Sequence, residues 1–318
     1  KHFAKHNFNT KEAQAVFAGM AAHSMQPLNK LTTSSIAIVL NTLAHVNGWP
    51  LPTGGAQQIT NALAACFKSL GGEIQTGNMI KSLHQLPASR IALLDVTPVQ
   101  LLTIAGEQFS ALYKWQLHNY KYGAGIFKVD WALSQPIPFI NIKCRTAATI
   151  HIGGSMKEIY NSEAMISKDQ HPDKPFVLFV QPGVVDASRA PEGKQTAWAY
   201  CHVPNGSTKD MTEIIEKQVE RFAPGFRDCI LARHIMNTHD VQEYNPNYIG
   251  GDINGGANTF TQLFTRPALR ISPYRTAAKG VYVCSSSTPP GGGVHGICGY
   301  YAARRALKDL FDIQLPWL

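Results

Sequence analysis

The stretch VYVCSSSTPPGGGVHGICGYYAA, residues 281–303, decides the fold of this chain. A β-branched strand is followed by a glycine-rich loop and an alanine-rich helix. Glycines at 291, 293 and 296 have the spacing G-x-G-x-x-G, which in dinucleotide-binding proteins follows a strand and opens a helix. Glycines let backbone N–H groups approach an anion, and the helix N-terminus adds partial positive charge. Taken alone, the spacing fits a structural turn as well as a ligand cradle.

The residues after this motif decide what kind of dinucleotide unit it belongs to. A complete unit continues into a second parallel strand with an acidic residue ~20 residues on. In this sequence only residues 311–318 follow the predicted helix 294–310. We therefore do not interpret the motif as the primary dinucleotide fingerprint.

Composition indicates a folded protein of about two domains. The 318 residues are 44% hydrophobic and 16% charged, and the formal net charge is +8. The excess charge favours anionic partners such as a pyrophosphate or an anionic membrane surface. The basic residues are scattered without a Lys/Arg block, so we do not expect a nucleic acid partner.

The apolar runs and the cysteines indicate in which cellular compartment the protein is expected. No secretory signal opens the sequence, and no apolar run is long enough to span a bilayer. The six cysteines form no C-x-x-C pair, which favours core cysteines over a metal site and a reduced, cytoplasmic setting. A peripheral contact with a membrane stays open. The sequence also has no G-x-S-x-G elbow, Walker loop or H-E-x-x-H motif, so hydrolase, NTPase and metalloprotease functions lack their usual signatures.

Periodicity predicts an α/β pattern in the first part of the chain and in its last part. Helices are expected over residues 11–22, 34–45 and 56–70, with a further short helix opened by Pro98. Short strands are expected at residues 73–76, 91–94 and 280–284. The middle of the chain predicts a mostly antiparallel sheet interrupted by two helices. The predicted sheet strands are residues 127–133, 146–152, 176–181, 196–203 and 230–235, and the helices are residues 156–167 and 208–222, the second capped by Thr208 or Asp210.

Residues 281–303 resemble the C-terminal flavin motif of the phytoene desaturase and phytoene dehydrogenase-related oxidoreductases. The resemblance extends over essentially the whole chain, through motifs in the same order as in that family. These motifs are GWPLPTGG (residues 48–55), GGEI (71–74), DVTP (95–98), ERFAPGFRD (220–228) and GGDINGG (250–256).

The resemblance implies an α/β plus α+β fold. A Rossmann-type FAD/NAD(P)-binding domain of the glutathione-reductase-like kind, incomplete here, would be formed by residues 50–110 and 271–318. A substrate domain built on the antiparallel sheet would take residues 1–49 and 111–270. The implied cofactor is FAD, and the implied cofactor-binding residues are Gly54, Gly55, Thr97, Pro98, Ser287, Gly291, Gly292, Gly293, Val294, His295 and Gly296.

One feature of that family is not found in this sequence. Its members begin with a strand, a glycine loop and a helix that hold the ADP pyrophosphate, and nothing before Gly48 has this pattern. We therefore expect this chain to correspond to the C-terminal portion of such a protein and to bind FAD weakly or not at all by itself. We also expect exposed apolar surface that invites a homodimer or a partner segment supplying the N-terminal part.

The segment YGAGIFKVDWALSQP, residues 122–136, also resembles a region of the flavin amine oxidases. There a glycine turn leads to a strand lysine that holds a water near flavin N5, a role that would fall to Lys128. The alternative is a solvated lysine that pairs with Asp130 on the same strand face.

Two further residues have open roles. His295 either acts as an acid or base facing the flavin or substrate, or hydrogen-bonds the backbone of its own loop. Asp252 either contacts substrate or forms a turn.

Two classes of function follow. The first is an FAD-dependent oxidoreductase that acts on C–C bonds of an apolar small-molecule substrate, by hydride transfer to the flavin. The second is a truncated or degenerate flavoprotein that serves as a non-catalytic binding or assembly module.

Overall fold

Residues 2–316 are described by a computed structural model of the chain. They divide into two compact units, one comprising the residues up to Asn78 with Ile126–Asn237 and the other comprising Met79–Gly125 with the residues from Thr238 onward. We call them unit 1 and unit 2. The helices are α1 (His2–Asn7), α2 (Lys11–Ala22), α3 (Thr33–Val46), α4 (Gln57–Ser69), α5 (Pro98–Ala105), α6 (Ala111–His118), α7 (Met156–Ile166), α8 (Thr212–Glu220), α9 (Thr238–Tyr244), α10 (Phe260–Thr265) and α11 (Ile297–Phe311). The strands are β1 (Ala92–Leu94), β2 (Gly125–Leu133), β3 (Thr149–Ile152), β4 (Val177–Val180), β5 (Gln195–Val203), β6 (Ile230–Met236) and β7 (Val281–Val283).

Unit 1 is built on a five-stranded sheet of order β3-β4-β5-β2-β6. The pairs β3–β4, β4–β5 and β2–β6 are antiparallel. Alternation along the strands gives the sheet two different faces. One face packs into the main core with α8, through residues such as Val129, Phe179, Cys201 and Ile215. The other face carries the partly exposed Lys128, Asp130 and Trp198, and we call this part of it the open face.

Helix α4 is the least covered element of unit 1. Its sequence has the expected apolar stripe, yet none of its residues is buried. Leu63 is 68% exposed, Phe67 50% and the adjoining Leu70 82%. A contiguous apolar helix face of this kind marks a surface that another protein element or ligand would cover.

Unit 2 contains a two-stranded parallel sheet in which Ala92 pairs with Val281 and Leu94 with Val283. Its core lies beneath these strands and the helices α5 and α6, and includes Leu101, Phe109 and Tyr113. Pro98 occupies the first turn of α5, where its missing N–H costs no helical hydrogen bond.

Most predicted elements are found within one to three residues of their expected bounds. One predicted strand is wrong, because residues 73–76 adopt no strand in the structure. The second mid-chain helix starts at Thr212 rather than near Thr208, with Met211 as its N-cap residue, although the Asp210 carboxylate does accept a hydrogen bond from the Thr212 N–H at 2.8 Å. Helix α11 starts at Ile297 rather than 294, because Gly296 adopts a left-handed conformation.

The two units also differ in extent from the predicted domain ranges. Residues 50–78 fall in unit 1, whereas residues 111–125 and 238–270 fall in unit 2. The assignment of residues 50–110 and 271–318 to one nucleotide-binding domain therefore stays a prediction. None of the described helices combines the length and the hydropathy that a membrane crossing requires.

Candidate functional site

The glycine-rich loop of unit 2 connects β7 to α11. Residues 292–296 are exposed, and the Val294 side chain is 91% exposed. The loop is anchored at its start, where the Gly291 N–H donates to the Thr288 carbonyl at 2.9 Å. Gly293 has φ of 151° and Gly296 has φ of 62°, a region that residues with a Cβ rarely adopt. The loop therefore presents backbone at the surface, directly before the N-terminus of a 15-residue helix.

His295 uses its ring to cap that helix. Its Nδ1 accepts a hydrogen bond from the Ile297 N–H at 3.0 Å, in an exposed setting. An imidazole nitrogen accepts a hydrogen bond through its lone pair, so Nδ1 acts as the acceptor in this contact. The geometry matches the backbone role of the two alternatives for His295.

Ser287 ties the loop to a second loop of unit 2, residues 250–258. Its side chain is fully buried, and its Oγ donates to the Gly255 carbonyl at 2.7 Å. A Cβ added at Gly255 would lie 2.2 Å from Ser286 Oγ and 3.5 Å from Thr97 Cγ2. The close approach of the two loops therefore requires glycine at 255.

Thr97 lies at the start of α5 beside these loops. It is buried, its N–H donates to Asn247 Oδ1 at 2.9 Å, and its hydroxyl accepts from the Tyr122 hydroxyl at 3.1 Å. Unit 2 thus brings Thr97 and Ser287 close to the same 250–258 loop, and a cofactor-binding role for them, for Pro98 and for the 291–296 loop stays a prediction.

Asp252 organises the 250–258 loop from inside. It is 1% exposed, and its carboxylate accepts hydrogen bonds from the N–H groups of Gly123 at 2.6 Å, Asn254 at 2.8 Å and Gly256 at 3.1 Å. Burial raises the pKa of Asp252, although these three donors act in the opposite direction. These contacts are those of the turn-forming alternative.

Arg266 is a central residue of this region that was not predicted as a site residue. Its side chain is 1% exposed; Nη2 donates to the Tyr120 hydroxyl at 3.1 Å and Nη1 to Asn258 Oδ1 at 3.3 Å. Among the residues that the structure describes, its Nε has no hydrogen-bond partner. A Cβ added at Gly291 would lie 2.9 Å from Nη1, so the guanidinium reaches the underside of the glycine-rich loop. Sequence gave no signal for it, since arginine is normally exposed.

The remaining predicted site residues lie in unit 1. Gly54 is held by two side chains, because its N–H donates to Asp186 Oδ2 at 2.8 Å and its carbonyl accepts from Arg189 Nη1 at 2.9 Å. Gly55 packs against the same arginine, with a Cβ there reaching within 2.7 Å of Nη1. These contacts give the two glycines a local structural role within unit 1.

Lys128 lies on the open face of the unit 1 sheet. Its ammonium forms an ion pair with Asp130, with the two side chains 27% and 38% exposed. Its Nζ also lies 5.7 Å from the centre of a Trp198 ring. The pairing expected from strand alternation is therefore present, and a role near flavin N5 stays a prediction.

Comparison with known proteins shows which proteins this chain resembles. No family model matches the chain. Over 313 residues it is 23% identical to a phytoene desaturase (lycopene-forming) of Pseudescherichia vulneris, a match covering 90% of this chain and 61% of that protein. Over 93 residues it is 41% identical to pyridine nucleotide-disulfide oxidoreductase domain-containing protein 2 of Mus musculus, which covers 29% of this chain and 16% of that protein. By these similarities the chain resembles the phytoene-desaturase-like FAD oxidoreductases.

Solved structures resemble the chain at the level of the fold. An oxidoreductase from Methanosarcina mazei aligns with 93% of this chain and 65% of its own length, with a TM-score of 0.60 and 14% identity. A double mutant of putrescine oxidase aligns with 98% of this chain and 67% of its own length, with a TM-score of 0.55 and 11% identity. The predicted fold class is therefore confirmed. The chain spans 61% of the length of the phytoene desaturase that it matches.

Proposed function

We propose that this chain forms part of an FAD-dependent oxidoreductase that acts on C–C bonds of an apolar substrate, of the polyene, isoprenoid or lipid type. The observation that carries the proposal is the β7–loop–α11 segment of unit 2. Its glycines expose backbone just ahead of a helix N-terminus, and the phytoene desaturase relationship supports a flavin there.

The residues of unit 2 suit an anionic cofactor group. Residues 292 and 293 are exposed glycines, and within the part of the chain that the structure describes no acceptor is bonded to their N–H groups. The helix N-terminus favours negative charge, and the buried Arg266 guanidinium adds positive charge beneath the loop. A cradle of backbone donors with a cation below it can hold a pyrophosphate or a reduced flavin ring.

When bound, FAD would accept the hydride removed from the substrate. The chain's own groups then have three tasks. The 291–296 loop and α11 hold negative charge, Ser287 and Thr97 fix the loop and the start of α5, and the open sheet face of unit 1 contacts the substrate. We propose that Lys128, with its ammonium positioned by Asp130, acts on this sheet face near the reacting flavin atom.

The second candidate is a non-catalytic binding or assembly module. It is favoured by the apolar stripe along α4, where the side chains of Leu63, Phe67 and the adjoining Leu70 are exposed to solvent. Such a surface suits pairing with a second copy or with another polypeptide.

Anaerobic absorption spectroscopy separates the two candidates. The protein expressed from its natural gene is reconstituted with FAD and mixed with an apolar polyene. The oxidoreductase proposal expects bleaching of the oxidised flavin band at a rate that rises with polyene concentration. Bound flavin that no polyene or related hydrocarbon reduces, or absence of bound flavin, would favour the module.

A further inference from the structure

Unit 2 contains a cavity of about 380 Å³ beside helix α11. Its walls come from residues 271–274, from one face of α11 and from residues 314–315. Small-molecule sites typically have volumes of ~300–1,000 Å³. The cavity is therefore large enough for one small organic ligand, and the proposed function assigns it no role.

Four side chains of α11 line this cavity. They are spaced i, i+3, i+4 and i+7 along the sequence, which places them on one face of the helix. These residues are Tyr301, Arg304, Arg305 and Lys308. Three of the four are cationic, and no acidic residue lines the cavity within the part of the chain that the structure describes. The wall formed by α11 thus favours an anionic ligand.

The three cations differ in what already contacts them. Arg305 forms an ion pair with Asp309 at 2.8 Å, but among the described residues its Nε has no hydrogen-bond partner. Arg304 donates from Nε to the Leu315 carbonyl at 2.7 Å, and this contact holds residues 314–315 against the helix. Lys308 is exposed and has no ion-pair partner within residues 2–316.

The positions of these charges on α11 also favour an anion. Arg304 and Lys308 are four residues apart, and two like charges at this spacing destabilise a helix. An anionic group held between them would remove that repulsion and gain charge-assisted hydrogen bonds. Cations are favoured near the C-terminus of any helix, so the charges alone do not define a ligand site.

The aromatic side chains of the cavity supply the second element of recognition. The rings of Tyr274 and Tyr301 are 6.1 Å apart between centres and tilted by 36°. The Tyr274 hydroxyl donates to the Pro289 carbonyl at 3.0 Å, which fixes the position of that ring. Pro273 and Leu315 add apolar surface to the lining. A planar ring packed here would leave water and gain aromatic contacts.

We propose that this cavity binds a small aromatic phosphate. The phosphate group contacts Lys308 and the guanidinium of Arg305, and the aromatic ring packs against Tyr301. A phosphate suits this wall because it offers several acceptor oxygens and more than one negative charge to neighbouring cations. Among the described residues, none of those that line the cavity belongs to the 291–296 loop, so the inference does not rest on the proposed function.

The test uses 1-naphthyl phosphate as the probe, titrated calorimetrically into the protein expressed from its natural gene. The comparison ligands are 1-naphthol and inorganic phosphate, because each carries only one half of the proposed recognition. Wild-type protein is expected to bind 1-naphthyl phosphate saturably and about tenfold or more tightly than either comparison ligand.

Three variants locate the binding site. Lys308→Glu reverses an exposed charge at the cavity and should weaken binding of 1-naphthyl phosphate by about tenfold or more. Tyr301→Leu keeps an apolar side chain but removes the ring, and should weaken binding by about threefold to tenfold. Lys194→Glu makes the same charge change at an exposed lysine of unit 1 and should leave the affinity at the wild-type value. Circular dichroism verifies that each variant is folded.

An affinity for 1-naphthyl phosphate that is unchanged in both Lys308→Glu and Tyr301→Leu would overturn the proposal. An affinity that is weakened equally in Lys194→Glu would also overturn it, because the effect would then come from the net charge of the protein. Inorganic phosphate that binds as tightly as 1-naphthyl phosphate would reject the aromatic part of the site and with it the proposal.

Discussion

The Arg266 guanidinium donates a hydrogen bond to the Tyr120 hydroxyl at 3.1 Å, and both side chains are buried in unit 2. Tyr120 extends this hydrogen-bond network, because its own hydroxyl donates to the Gly255 carbonyl at 2.9 Å. Ser287 donates to the same carbonyl from the glycine-rich segment. One buried cation thus connects the 250–258 loop with the loop that precedes α11.

Arg266→Met should lower the free energy of unfolding by about 2–4 kcal/mol, because hydrogen bonds to a charged group are lost and their buried acceptors are left unpaired. Denaturant unfolding measures the loss. Tyr120→Phe should cost less, and the double variant should cost less than the sum of the two single variants. Strictly additive costs would show that the two side chains do not act together.

A pair of half-buried histidines in unit 1 predicts acid sensitivity. His23 Nε2 lies 2.8 Å from His151 Nε2. Burial and the neighbouring histidines lower the pKa of His23 to about 3, and burial lowers the pKa of His151 to about 4, both from 6.5. Below pH 6.5 the unfolded chain therefore binds protons that the native state does not, and stability should fall as pH falls towards 4.

The measurement is the free energy of unfolding between pH 7 and pH 4. His151→Asn should reduce the slope of the unfolding free energy against pH by ~1.4 kcal/mol per pH unit, which is the value for one proton. His45→Asn is the matched control, because His45 is exposed on α3 and its removal should leave the slope unchanged. Equal slopes in wild type and His151→Asn would disprove the role of the pair.

Lys128→Met should slow flavin reduction by substrate while leaving bound FAD largely intact. The reason is that the ammonium is expected to stabilise negative charge developing on the reduced flavin. Stopped-flow reduction kinetics provide the readout, with the exposed Lys194→Met as control. Unchanged reduction rates would show that Lys128 has no role in flavin reduction and serves only in its ion pair with Asp130.

The sequence predicted the strands and helices where hydrophobic periodicity was strong, as in β2, β5 and α2. It failed at residues 73–76, because a strand needs a pairing partner that the residues themselves do not specify. The apolar stripe of α4 was identified correctly, but periodicity does not say what covers a helix face. Arg266 was missed for a related reason, since its buried contact with Tyr120 joins two residues that are distant in sequence.

The 318-residue chain alone is expected to bind FAD weakly or not at all. Among the described residues, the parallel sheet of unit 2 has two strands, with one glycine-rich loop preceding a helix. A second glycine loop and a ribose carboxylate normally hold the ADP half. Without these groups, several charge-assisted hydrogen bonds of ~1.5–3 kcal/mol each would not form, and the affinity for FAD would be weaker by orders of magnitude. Calorimetric titration tests this expectation, and stoichiometric binding at micromolar concentration would contradict it.

The central claim is that the 291–296 loop forms the flavin site, and flavin content tests it most directly. The protein is expressed from its natural gene as wild type, Gly293→Val and Gly193→Val, and each is purified and scanned for flavin absorption. Gly193 also has positive φ but has no atoms within 4 Å of an added Cβ, so it controls for backbone strain alone. We predict bound flavin in wild type and Gly193→Val, and its loss in a folded Gly293→Val protein. Wild-type flavin content in Gly293→Val would contradict the assignment.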